Sequence, residues 1–537
     1  MIADSAPKAG RREWIGLAVL VLPTLLISMD LTVLNLAVPQ LSADLEPTSS
    51  QLLWIVDIYG FLIAGTLITM GNLGDRIGRR RLLLIGAAAF GVASVLAAFA
   101  TSAEMLIATR ALLGIAGATL MPSTMALIRN MFHDAKQRTT AIAIWVMGFS
   151  TGAAIGPLAG GALLEYFWWG SVFLLGVPVM LLLLAVGPIL LPEFKDPDAG
   201  KLDILSAGLS LVGVLAIIYG VKQFAEHGLG AQPVLSVLIG LVIFGAFILR
   251  QRTLADPLID LQLFRVPAFS ASLATNTLGV FAAFGSFFFT AQYLQLVEGL
   301  SPMKAGLWSL PSSAAFIIGS MLATVLVRKI RPAYVISAGL AVGAVGFGVL
   351  TQVEASAGLT ALIVGSFINS IGLALVFTLT TDLIVGTAPP ERAGAASAIS
   401  ETGSELGGAL GVAILGSIGA AVYRSSVGDA IPAGTPPEAA ETARDTLGGA
   451  VGVADLLPGQ LGAELLTVSR EAFVQGLQTT ATMAAFIMLG TALMVAIVLH
   501  NARSSSDAEA AAEVEPEHAD VPEPALVQAS TQGALLD

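Results

Sequence analysis

Charge is scarce in this chain. Only 12% of its 537 residues are Asp, Glu, Lys or Arg, about half the share of an ordinary soluble domain. Cysteine is absent and there are four histidines. Without thiols there is neither a disulfide scaffold nor a thiolate-bound metal. His133, His227, His500 and His518 are too scattered to build a metal site with neighbouring ligands. No GxxxxGK(S/T) loop is present to cradle nucleotide phosphates, and no GxSxG, HExxH or paired-acid arrangement points to hydrolysis. These gaps disfavour a soluble enzyme, and no ATP hydrolysis, cofactor or metal is expected. What abounds is apolar surface: 55% hydrophobic residues, mean hydropathy +0.83, and 57 glycines. This is the composition of a polytopic membrane protein.

The net charge of −12 is local. The tail 501–537 contributes −7 and the segment 422–471 contributes −4. The rest is close to neutral, so acidity implies no basic partner, and nucleic acid is not expected as one.

About 20 apolar residues cross a bilayer as a helix. That ruler finds about fourteen spans, from 14–38 through a central pair within 202–250 to a last span at 472–500. The first follows Lys8, Arg11 and Arg12, as a signal peptide would, but it is too long for one and is followed by a second span. It reads as a membrane helix. With the N-terminus in the cytoplasm, 20 of the 26 Lys and Arg residues fall on the cytoplasmic side, as membrane insertion prefers. Lys222, Lys304, Arg424, Arg444 and Arg470 fall outside, and Arg110 lies inside a span. The expected divisions are a cytoplasmic start 1–12, a six-helix bundle 13–191, a linker 192–266 with two inserted helices, a second six-helix bundle 267–500, and an acidic tail 501–537 of disordered composition. Residues 422–470 are expected to form a long outer loop.

An internal repeat supports two related halves. QRTTAIAIW (137–145) before the fifth span resembles ERAGAASAI (391–399) before the thirteenth. Glycines follow at four-residue spacing in both: Gly148, Gly152, Gly156 and Gly160, then Gly403, Gly407 and Gly411. Basic loops follow both the second and tenth spans, so the offset is eight spans each time. Repeated halves suit alternating access around a site at mid-membrane.

Ionisable groups at membrane depth are costly and face a cavity or a partner. At 1.5 Å per residue, Asp30 and Asp57 lie roughly 10–14 Å below the outer surface and Arg110 roughly 9 Å below it. Two acids and one base therefore share a layer, where a carboxylate can take up and release a proton as its exposure alternates. The alternative is a static Asp–Arg pair that fixes packing. Glu401 and Glu405 are four apart, hence on one face of the thirteenth span. They suit a cavity wall that attracts an organic cation or carries protons, with interhelical hydrogen bonding as the other reading of Glu401. Trp54, Tyr59, Phe61, Trp145, Phe149, Phe284, Tyr293 and Phe377 are candidates for stacking on a lipophilic cation. The glycine ladder allows close helix approach, and Gly156-Pro157 frees a carbonyl and permits a bend.

Several of these segments resemble the major facilitator superfamily. GNLGDRIGRRRLLL (71–84) is similar to its cytoplasmic-loop signature, LIATRALLGIAGA (106–118) to its fourth-helix signature, and GAAIGPLAGG (152–161) to the fifth-helix signature of antiporters. MDLTVLNLAVP (29–39) and WIVDIYGF (54–61) resemble the first and second helices of the fourteen-helix drug:proton antiporter branch of quaternary-ammonium and multidrug exporters. The resemblance implies an all-α membrane fold of 6 + 2 + 6 helices. It implies proton transfer between Arg110 and Asp30. It also implies an inner latch between halves built on Gly71, Gly74, Asp75, Arg76, Gly78, Arg79, Arg80 and Arg81, and a fifth-helix contact set by Gly152, Gly156, Pro157 and Gly160. The second half lacks the matching aspartate in 319–331 and carries no acid within 305–327.

The resulting expectation is a monomeric, proton-coupled exporter of lipophilic, cationic drugs in a bacterial inner membrane, with both termini cytoplasmic. The rivals are export of an endogenous metabolite or lipid by the same fold, and a gradient-independent channel or sensor.

Overall fold

The computed structural model describes residues 8–195, 203–228, 230–254, 257–259, 261–387 and 393–499; the tail 501–537, Lys201 and Arg392 lie outside them. Among the described residues, fourteen helices are long and apolar enough to cross a membrane. The first six are α1 (Arg11–Leu45), α2 (Ser49–Ile77), α3 (Arg79–Ala98), α4 (Ala103–Met131), α5 (Ala135–Tyr166) and α6 (Ser171–Leu190). Then come α7 (Ile204–His227) and α8 (Ala231–Gln251). The last six are α9 (Pro267–Val297), α10 (Pro302–Leu326), α11 (Pro332–Leu350), α12 (Leu359–Gly386), α13 (Ala393–Ala430) and α14 (Gly459–Val498).

Short polar residues start several of these helices, because an apolar surrounding offers no water to the first backbone N–H groups. Thr48 and Gln51 form a reciprocal capping box at α2, and Ser102, Asp134 and Asp203 accept from the third residues of α4, α5 and α7.

The packing repeats with an offset of eight. α1 packs on α5 and α9 on α13; α2 on α4 and α10 on α12; α3 on α4 and α6, as α11 does on α12 and α14. The two seams between the halves obey the same symmetry: α2 meets α13, and α5 meets α10. The glycine ladders explain the tightest pairings. A Cβ on Gly148 or Gly160 would lie 2.5 or 2.6 Å from a valine methyl of α1, and Gly152 and Gly156 face Leu25 and Thr32 of the same helix. Gly407 does the same against the Thr277 carbonyl of α9, at 2.5 Å. The ladder thus holds helices together within each half. Its neighbours Pro157 and Gly161 face across: the Pro157 carbonyl abuts Gly306, and Gly161 meets Pro302 of α10.

The contacts between halves lie toward one end, opposite the arginine-rich loops. Gln295 donates to the Leu36 carbonyl at 2.9 Å, the Met303 N–H to Glu165 at 3.3 Å, and Ser49 to the Asp445 carbonyl. Leu53 presses on Gly416 and Gly60 on Ala409.

Two expectations are corrected. The segment 422–470 is largely helical: α13 runs to Ala430, helices Pro437–Asp445 and Leu447–Ala454 follow, and α14 begins at Gly459. Alanine-rich composition with prolines at helix starts favours this over an irregular loop. Lys222, assigned to an outer segment, is buried on α7 inside the protein. The inserted pair packs α7 against both α2 and α13, covering one of the two seams. Among the described residues the symmetry-related seam between α5 and α10 has no such helix pair.

Candidate functional site

Asp30, Asp57, Arg110, Lys222, Glu401 and Glu405 lie on α1, α2, α4, α7 and α13. Gly114 explains how Arg110 meets α2 and α1. A Cβ at Gly114 would sit 2.6 Å from the Tyr59 carbonyl, so α4 can press on α2 only with glycine at that position. One turn earlier on the same face of α4, Arg110 is then driven against α2 and α1. Its Nη1 lies 2.5 Å from Asp30 Oδ2, its Nε donates to the Ile55 carbonyl at 3.2 Å, and its guanidinium stacks 4.4 Å above the Tyr59 ring. Arg110 is fully buried, whereas the Asp30 side chain keeps 15% exposure. A buried guanidinium needs such compensation, since a buried charge without a partner costs several kcal/mol.

Asp57, one helical turn from Trp54 and on α2, does not join this pair. Its Oδ2 lies 2.7 Å from Lys222 Nζ of α7, with both side chains sealed. The contact is a buried ion pair. The same ammonium sits 3.9 Å over the Trp54 ring. Lys222 is the charged residue of this cluster that span counting missed. A signal was present: Leu211, Val214, Leu215 and Ile218 form the buried stripe of α7 against α2 and α13, and position 222 continues that stripe at i+4 from Ile218.

Across the seam, Glu405 of α13 is buried against Gly60, and Glu401 stands one turn away, half-buried. Neither acid makes an ion pair among the described residues. Tyr59 lies within electrostatic reach of Asp30, Arg110 and Glu405 together, and its hydroxyl has no hydrogen-bond partner among the described residues. It therefore stands between the acid–arginine pair and the unpaired acids.

The aromatics divide. Tyr59 is taken by Arg110 and Trp54 by Lys222. Phe61 is buried in the α2–α7–α13 core with Ile218 and Ala409. Trp145 donates to Thr124 Oγ1 at 3.1 Å inside the first half. Tyr293 is fully buried, bonded to Glu298 and to the Glu354 carbonyl. Phe61, Trp145 and Tyr293 thus sit in packed surroundings, and the indole N–H of Trp145 and the hydroxyl of Tyr293 are hydrogen-bonded within the chain. Phe149, Phe284 and Phe377 are half-buried, and Phe377 lies tilted against Phe316 with ring centres 6.2 Å apart.

The basic loop 71–81 is tied to its own half. Arg79 pairs with Asp75 at 2.5 Å, and Arg80 reaches Glu193 and the Pro188 and Leu191 carbonyls at the end of α6. Gly78, at φ +111°, makes the left-handed turn there, and Gly74 lies under Arg79. Gly71 faces Pro122 of α4, and Arg76 is exposed. The expected latch between halves is not closed by these contacts: those that Asp75, Arg79 and Arg80 make run within the first half.

Known proteins resemble this chain in sequence and in fold. The sequence profile of the Major Facilitator Superfamily matches residues 20–412. A multidrug efflux pump, LfrA, of Mycolicibacterium smegmatis is 44% identical over 92% of this chain and 97% of its own length. The methyl viologen resistance protein SmvA of Salmonella typhimurium is 36% identical over 86% of this chain and 93% of its own. Among solved structures, a bacterial homologue of the human lysosomal transporter Spinster, inward-facing and unoccupied, superposes with a TM-score of 0.67 at 19% identity, over 92% of this chain and 98% of that one. That last likeness bears on the fold alone. With fourteen apolar helices, paired six-helix halves and a profile match over most of its length, the chain belongs to the Major Facilitator Superfamily and is a multi-pass membrane transporter, not an enzyme.

Proposed function

We propose that this transporter exports lipophilic cationic drugs across the bacterial cytoplasmic membrane in exchange for protons. The observation that carries the reading is the Asp30–Arg110 pair. It sits in a low-dielectric layer where α1, α2 and α4 of the first half meet, and Asp30 keeps partial exposure while Arg110 is buried. Protonation of Asp30 removes the charge that holds Arg110, and a freed guanidinium must find other partners. That ties proton uptake to rearrangement of α1, α2 and α4.

The relatives support the substrate class. One is named for multidrug efflux and another for resistance to methyl viologen, a dication. Asp57, with the unpaired Glu401 and Glu405, supplies the negative charge such substrates require, and Phe149 and Phe377 supply apolar faces. The halves 13–191 and 267–500 rock about this site, and 192–266 carries the inserted pair. Contacts between the halves cluster away from the arginine-rich loops, which face the cytoplasm by the positive-inside preference. The protein then stands open to the cytoplasm, with the latch of Asp75 and Arg79 released and both termini inside. A monomer contains all the parts named.

The test is ethidium efflux from energised cells or everted vesicles, with and without a protonophore. Efflux should stop when the gradient is dissipated. Export that continues unchanged would favour a gradient-independent channel, and a panel on which only an endogenous metabolite or lipid moves would replace the drug assignment.

A further inference from the structure

The inserted pair carries a lysine into the site. Lys222 is held on a scaffold that leaves its helix little freedom. Leu211 fills the space over Gly65 of α2, Ile218 packs on Phe61 and Ala409, and at the far end of the hairpin Arg250 of α8 bonds Asp203 and Ser206 at the start of α7. Its ammonium rests between a carboxylate and an indole face, 2.7 Å from Asp57 Oδ2 and 3.9 Å from the Trp54 ring centre. Carboxylate plus aromatic face is the recognition chemistry of an organic cation. Here that chemistry is already satisfied from within the chain.

We propose that Lys222 is a tethered surrogate cation that occupies the Asp57–Trp54 site until an organic cation displaces it, making α7 a specificity-determining element. The proposal rests on the reading that cations are the substrates. Its physical basis is competition: one carboxylate in an apolar surrounding cannot serve two cations, and a cation that displaces the lysine must bind better than the lysine does.

Withdrawal of the lysine requires the wall beside it to yield. Next to Lys222 is a cavity of about 10 Å³, lined by Ser49, Ser50, Leu53, Ser417 and Arg424, no more than one water needs, and it marks the direction in which the side chain can move. A lysine stem has four rotatable carbons, and the serine hydroxyls offer the withdrawn ammonium hydrogen bonds. Arg424 on the cavity wall disfavours that position by like-charge repulsion. The withdrawn state is therefore filled only when another cation has taken Asp57. Small, weakly interacting cations fail this competition, whereas flat aromatic cations that stack on Trp54 as they neutralise Asp57 pass it.

The experiment is equilibrium binding of ethidium, a flat aromatic cation, to the purified full-length protein in detergent, where no gradient is needed. If the lysine holds the site about 90% of the time, Lys222→Gln tightens binding about tenfold, because the occupancy penalty is removed. Adding Asp57→Asn to that variant abolishes the gain. Lys222→Arg keeps the charge, folds without an unpaired Asp57, and grips the carboxylate with a two-pronged group, so it weakens binding. This second variant decides the matter if the glutamine variant does not fold. Unchanged affinity in either folded variant overturns the proposal, as does a gain in Lys222→Gln that survives Asp57→Asn. Protonophore-sensitive efflux measured in the same variants reports separately on the export reading: it can persist when the surrogate role fails.

Discussion

Arg110 Nη1 stands 2.5 Å from Asp30 Oδ2, and the same guanidinium covers the ring of Tyr59. One base thereby links three helices, α1, α2 and α4. Its position depends on Gly114, one turn along α4. The pair is thus a packing device and a charge device at once.

Replacing either member separates those roles. Asp30→Asn should insert and fold yet lose protonophore-sensitive ethidium efflux. Arg110→Ala leaves Asp30 without its partner and empties a buried volume, and should cost about 3–5 kcal/mol of stability. In Arg110→Ala/Asp30→Asn part of that loss returns, since no charge is stranded. Thermal melts of the four proteins form a double-mutant cycle, and strictly additive losses would show that the pair is not energetically coupled.

Gly114 sets the distance between α4 and α2, so Gly114→Val should force the helices apart and withdraw Arg110 from the Ile55 carbonyl. The expected penalty is about 1–3 kcal/mol, as for overpacked interiors, with efflux lost. Gly245 of α8 has nothing within 4 Å of where a Cβ would stand. Gly245→Val is the control, and its melting temperature and efflux should match the parent.

Glu405 lies deeper and more buried than Glu401. Glu405→Gln should weaken tetraphenylphosphonium binding by about tenfold, or about 1.4 kcal/mol, and Glu401→Gln by less. Titration calorimetry in detergent reads both. The reverse order would move the cation toward the arginine-rich end of α13.

Because the chain has no cysteine, single cysteines report its orientation without background. Glu46→Cys, in the turn between α1 and α2, should react with a membrane-impermeant maleimide in intact cells. Ile330→Cys, between α10 and α11, should react only after permeabilisation. The opposite pattern would reverse the direction of transport proposed here.

Much of this architecture was readable in the sequence, for a local reason. Span number follows from the length of apolar runs, and the Asp30–Arg110 layer follows from counting residues at a fixed helical rise. The offset of eight between the glycine ladders anticipated which helices pack together, because the same small-residue spacing demands the same close neighbour in each half. Helix rotation and choice of neighbour are not local properties, and there the sequence fell short. That Asp57 faces Lys222 rather than Arg110, that Arg110 and Lys222 already occupy Tyr59 and Trp54, and that 422–470 folds into helices all depend on surfaces far apart in the chain. Only the assembled bundle decides them, because a buried charge takes whichever opposite charge the packing brings within reach.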